Sequence, residues 1–182
     1  MNVDKSLFPE LFEEQLLPWG PIRAVLELDV TPPDELISNV NFVPCVNDKW
    51  VIVKHENGWC IVGGTLEPGE GYLDTIKREL LEEAGAVLKT FHLVGACHCH
   101  SLADKPYRPH LPWPEFYRLL AYGEVEISGK PTNPEGAEQV SEVAALSLEE
   151  ACRRLETKED DGKQLADSYR LVDALKAQRL AY

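Results

Sequence analysis

Glu79, Glu82 and Glu83 are the residues whose spacing could do chemistry, since Glu79 lies three and four positions before the other two. Positions three and four apart share one face of an α-helix, so Glu79 can converge with both partners. Like charges at that spacing are unfavourable on a bare helix. Their retention points to a cation between them, most simply Mg²⁺, a hard ion that takes carboxylate oxygens.

The elements that must position these carboxylates flank them. Leu73, Ile76, Leu80 and Ala84 recur at helical spacing and predict a face that docks on a core while the glutamates face a cleft. Glu70 and Asp74 lie toward the N-terminal end, where negative charge suits the helix dipole, and Gly85 is placed as the residue that ends the helix. In front, Gly63, Gly64, Pro68, Gly69 and Gly71 predict a loop in which backbone can approach a ligand closely. Strand, glycine loop and glutamate helix outline a phosphate-and-metal site.

Residues 64–86 resemble the Nudix box, whose pattern is G, five residues, E, seven residues, then R-E-U-x-E-E-x-G-U with U aliphatic. Gly64 and Glu70 supply the first glycine and glutamate; Arg78, Glu79 and Leu80 the R-E-U; Glu82, Glu83 and Gly85 the remainder. Ala86 is a small stand-in for the last aliphatic residue, and Val62 stands where many relatives have proline before the glycine pair. A glutamate-rich helix by itself is ordinarily a solvated face. Gly64 and Glu70 at the matching offsets set this stretch apart.

The resemblance implies a Mg²⁺-dependent hydrolase, with Mn²⁺ as a substitute, that cleaves the pyrophosphate bond of a nucleoside diphosphate linked to another moiety. By the same resemblance Glu79, Glu82 and Glu83, with the Gly64 carbonyl, are expected to hold the metal. Glu70 is expected to orient the helix through Arg78, whose fork holds a carboxylate bidentately as Lys does not. A catalytic base is expected from one of the box glutamates or from a later loop, with Glu135, Glu138 and Glu142 as candidates and Glu138 counted with the catalytic residues. Subfamily-sorting offsets hold residues 101–103, and the PWPEF run at 112–116 is only a faint echo of one subfamily motif, so no substrate subclass is assigned. A non-catalytic nucleotide-sensing module is the alternative. An isomerase on the same scaffold would not need an intact box.

Composition bounds these readings. The 182 residues suit one domain with a proper core, with 44% apolar and 27% charged residues as in ordinary soluble proteins. A net charge of −13 argues against nonspecific nucleic-acid binding, though not against small phosphates, because a divalent ion reverses the local sign. Five cysteines without a regular framework, no signal-peptide pattern and no spanning segment predict a cytoplasmic protein without a membrane partner.

Along the chain, residues 5–17 predict a short amphipathic helix ended by Pro18 and Gly20, and residues 22–30 a strand broken by Pro32 and Pro33. Residues 1–40 are expected to be an N-terminal extension packed on a domain of residues 41–182. This opening covers the sheet or forms a homodimer surface; the sequence leaves both open. Residues 42–46 and 50–55 read as a hairpin, 59–62 as a strand entering the glycines, and 87–100 as one long strand with Gly95 as a bulge. A proline-rich loop (101–114), a strand (115–126), a second loop (128–138) and a last strand (140–146) follow. Ser147 is an N-cap candidate for a helix over 148–155. Leu165, Tyr169, Val172 and Leu175 then stripe a C-terminal helix. The alternation predicts an α+β fold, an α/β/α sandwich with a mixed sheet flanked by helices; the resemblance implies the same.

Cys97, His98, Cys99 and His100 suggest zinc, but strand alternation puts the cysteines on one face and the histidines on the other, so the tetrapeptide cannot close one tetrahedral site. Tyr107 to Trp113, with Phe116 and Tyr117 behind, offer either a surface on which a base could stack or aromatic packing against the sheet.

Overall fold

The computed structural model describes residues 3–17 and 20–180. The strands are β1 (Gln15–Leu16), β2 (Ile22–Leu28), β3 (Ile37–Val46), β4 (Lys49–His55), β5 (Gly58–Cys60), β6 (Val62–Thr65), β7 (Ala86–Leu88), β8 (His92–Ser101), β9 (Glu115–Ile127) and β10 (Glu142–Leu146). The α-helices are α1 (Pro9–Phe12), α2 (Tyr72–Glu79), α3 (Leu148–Leu155) and α4 (Gly162–Leu180). The sheet runs β1-β2-β8-β9-β3-β4-β10, with β5 on β4, β6 on β3 and β7 on β9. β3 and β9 are parallel and the other pairs antiparallel, which makes the sheet mixed.

Strand alternation divides the apolar residues into two cores. One face carries Val40, Phe42, Ala96, Leu119 and Ala121 and is covered by Ile76 and Leu80 of the α2 segment. The opposite face carries Leu26, Val43, Leu120 and Tyr122, which pack with Phe8 and Leu11 of the N-terminal segment and with α3 and α4. The expected α/β/α layering is what the chain adopts. Ser147 accepts a hydrogen bond from the Glu150 N–H at 3.3 Å and caps α3. Leu165, Tyr169, Val172 and Leu175 are all buried. Asn47 and Asp48 both take positive φ, 48° and 56°, as a two-residue type I′ hairpin requires.

Four expectations are corrected. Residues 5–17 form no single helix: a 3₁₀ turn at Lys5–Leu7 is followed by α1 and then by β1. Pro9 explains the restart, because it fits the first helical position and cannot continue the preceding turn; Pro18 lies outside the described residues. The run 87–100 is two strands separated by Lys89, Thr90 and Phe91, and the register of β8 on β9 shifts between Leu93 and Gly95, where the bulge was expected. Gly63 and Gly64 lie within β6, paired with Asn41 and Val40, and not in a loop. Leu73 is 38% exposed, and Tyr72 packs toward the core instead.

Candidate functional site

β6 and the helix that follows it build the site. Past Glu79 the α2 helix widens into a π turn over Leu80–Ala84, which carries Glu82 and Glu83. Such widening is frequent at functional positions; Leu80 and Ala84 lie in the core, and Glu83 points back to the sheet. Gly85 ends the helix at φ 60°, and a Cβ there would press on the backbone of Gly129 and Lys130 at 2.5–2.7 Å. Only glycine meets both demands.

Arg78 is the hub. Its Nε and Nη2 donate to the two oxygens of Glu70 at 2.8 and 3.0 Å, its Nη1 donates to Glu79 Oε1 at 2.7 Å and Glu82 Oε2 at 3.3 Å, and its Nη2 reaches the Thr65 carbonyl at 3.3 Å. Glu70 also accepts from the Glu67 N–H and the Thr75 hydroxyl, both at 3.0 Å. The Arg78 fork, with these added donors, holds the Glu70 carboxyl down at about 2.

The other carboxylates meet the glycine strand. Glu79 lies so close to Gly64 that a Cβ there would overlap its Oε1. Burial, reinforced by the Glu83 charge, raises the Glu79 carboxyl to about 7. Glu83 Oε2 accepts from the Gly63 N–H at 3.1 Å, and its Oε1 lies 3.4 Å from His55 Nε2. Burial opposes charging His55, but the bond and charge of Glu83 outweigh it and raise its pKa. Glu138 is exposed, with Oε2 3.7 Å from His55 Nδ1. Thus Gly64, Glu70, Arg78, Glu79, Glu82 and Glu83 come together, and Glu138 reaches their edge through His55. Glu135 is exposed, and Glu142 on β10 faces Arg154 at 3.5 Å.

Among the described residues no three His, Cys, Asp or Glu side chains are already arranged to close around a metal ion. In kind, the site suits a hard divalent cation: the oxygens of Glu79 and Glu82 converge on one positive group, the Arg78 guanidinium, and Glu79 is crowded by the Glu83 charge.

The Cys97–His100 run divides between the two faces of its strand. His98 Nε2 contacts Glu115 Oε2 at 2.7 Å and His100 Nδ1 contacts the other oxygen, while Cys97 and Cys99 face the opposite side. Tyr107 is 82% exposed and Trp113 44%, so neither is core packing. That loop instead docks on the segment before α2, through His110 to the Leu66 carbonyl at 2.9 Å and Arg108 to Glu67 at 2.9 Å.

His55, Asn39 and Asn41 were not singled out by sequence. Together with Gly63 and Glu83 they line a cavity of about 340 Å³. The signal was available: two asparagines at alternate positions before an apolar strand are costly to bury unless they face something polar.

A NUDIX domain model matches residues 36–168. A variant of the Bacillus subtilis pyrophosphohydrolase BsRppH is similar in structure, with TM-score 0.56 and 17% identity over 73% of this chain and 76% of that one. A NUDIX hydrolase from Nitrosomonas europaea is similar with TM-score 0.53 and 21% identity, over 74% of this chain and 89% of that one. At these identities the likeness is one of fold. No curated protein matches the chain.

Proposed function

The chain belongs to the Nudix family, and from that premise we propose that it is a divalent-metal-dependent hydrolase of a pyrophosphate bond in a nucleoside diphosphate linked to another moiety. One observation carries the reading: Glu79 and Glu83 meet the Gly63–Gly64 strand, and Glu82 joins Glu79 on the Arg78 guanidinium, so the three box glutamates gather on one helix face. Mg²⁺, with Mn²⁺ as substitute, would be held by these carboxylates and the Gly64 carbonyl. When bound it neutralises phosphate oxygens and lowers the pKa of a water.

The chain's own groups do the rest. Arg78 and Glu70 are positioning residues: their two-bond pair fixes the helix face against β6. Glu83, fixed by the Gly63 N–H, leaves its second oxygen toward His55, which stands between Glu83 and Glu138. A proton taken at this edge can pass to His55 and on toward the exposed Glu138, which gives Glu138 a role in proton transfer without direct contact with the box.

The test is turnover in ¹⁸O-labelled water, with Mg²⁺ and then with chelator, on nucleoside triphosphates, ADP-ribose, NADH and dinucleoside polyphosphates. The expected result is metal-dependent cleavage that places one ¹⁸O in a phosphate product. Tight nucleotide binding with no cleavage under any condition would overturn the reading in favour of a sensor.

A further inference from the structure

The sheet face beneath α4 carries polar groups that packing alone does not call for. On β9 Arg118 lies beside Asn39, whereas Leu120 lies beside Asn41; beyond Asn41 the face turns to Val43 and Cys45, and on β8 the neighbour of Arg118 is Cys97. Asn39, Asn41 and Arg118 thus form a polar island on a face otherwise given to apolar packing. The island floors the cavity that ends at Gly63 and Glu83.

A buried polar atom on this island points to a ligand. Asn39 Oδ1 has no hydrogen-bond partner among the described residues, and His55 Nδ1, in a side chain only 5% exposed, has Glu138 Oε2 no nearer than 3.7 Å. Leaving a buried polar atom unpaired costs about 1–3 kcal/mol. A strand with only a structural task would do better with valine or threonine at position 39.

The lining selects among ligand chemistries. It contains no Phe, Tyr or Trp, so a nucleobase would find no stacking wall. Its cations are accompanied by acids: Lys158 is bound to Asp161 at 2.8 Å, and Glu83 and Glu138 line the same cavity as Arg118. A free polyphosphate therefore meets no net positive field. The cavity also presents the amides of Asn39, Asn41, Asn57 and Gln164 and the Ser168 hydroxyl over leucine side chains, the mixture that pairs with the hydroxyls and apolar faces of a sugar. The volume is at the small end for a ligand site, enough for one such unit.

Resting on the hydrolase reading above, we propose that Asn39, Asn41 and Arg118 form the subsite for a sugar joined to the diphosphate, with Asn39 as its specificity-determining residue. The substrate class is then a nucleoside diphosphate that bears a second sugar, whose base stays outside the cavity.

The full chain is assayed with Mg²⁺ on ADP-ribose and ADP-glucose against ATP and ADP, which share the adenosine half and lack the second sugar. Calorimetry of ADP-ribose and ADP without metal gives a readout independent of turnover. Asn39→Leu is the main variant; Asn39→Ser replaces it if thermal melts show that the leucine variant does not fold. The expected kcat/KM for a sugar-bearing substrate exceeds that for ATP by about tenfold or more, and the variant lowers this ratio about tenfold, the scale of one hydrogen bond. Turnover with a ratio near one, or a ratio that the variant leaves within about twofold, overturns the sugar subsite and leaves the hydrolase reading standing. If wild type cleaves nothing, the hydrolase reading fails and calorimetry decides: tighter binding of ADP-ribose than ADP that the variant abolishes upholds the subsite, and equal binding overturns it.

Discussion

At the residue scale the account rests on Arg78, because one guanidinium touches Glu70, Glu79 and Glu82. Lysine keeps the charge and loses the fork. Arg78→Lys is therefore expected to lower kcat/KM about 10–100-fold, the usual loss for partners that orient metal ligands, and to lower the melting temperature, because Glu70 loses its two-bond partner; steady-state kinetics beside a melt checks both. Glu70 gives a pH prediction. Its carboxyl sits at about 2 against an ordinary 4.5. A depressed acid adds stability that is present above the unfolded value and is lost as pH falls from 4.5 toward 2. The stability gap between wild type and Glu70→Gln should narrow over that window in urea titrations. A constant gap would mean that the Arg78 pair does not set this acid dependence.

At the element scale, the helix with its π turn is anchored on one side and open on the other. Leu80 is fully buried, whereas Leu73 is 38% exposed. Leu80→Ala is expected to cost about 2–5 kcal/mol and Leu73→Ala less than about 0.5 kcal/mol, measured by chemical denaturation. A large loss at Leu73 would contradict the placement of this face. The same contrast shows where sequence was legible. The spacing of Ile76, Leu80 and Ala84 was enough to find the docked face, because burial on a helix obeys a fixed period. Leu73 matched the period but fell on the first turn, where Tyr72 has the shorter route to the core. The π turn over Leu80–Ala84 had no local signature, since the apolar spacing there reads as an uninterrupted α-helix. Asn39 and Asn41 were missed because β3 begins at Ile37, five residues before the expected strand, and the apolar run that marks a strand starts only at Phe42.

At the scale of the whole molecule, the N-terminal segment is part of the second core. Phe8 and Leu11 are 6% and 4% exposed and pack in the cluster that includes α4 residues. Each such side chain contributes about 1.5–3 kcal/mol on burial. Removal of residues 1–14 is expected to lower the melting temperature and to open the cavity that Leu11 helps to line; a truncated chain with an unchanged melt would show the segment to be dispensable. Among the described residues no helix is long and apolar enough to cross a membrane. The layering was legible because alternating strands and helices admit few arrangements. The neighbour relation of β9 to β3 was not, since it depends on a parallel pairing between strands far apart in the chain.

The central claim is that the box glutamates, gathered around Arg78 and the Gly63–Gly64 strand, carry out metal-dependent hydrolysis. The most direct test is product release from the best substrate of the panel, with Mg²⁺ at saturation, by wild type beside a folded Glu82→Gln variant. The account predicts turnover by wild type and a loss of at least about a hundredfold in the variant, as expected when a group that stabilises transition-state charge is removed. Equal turnover by both chains would contradict it.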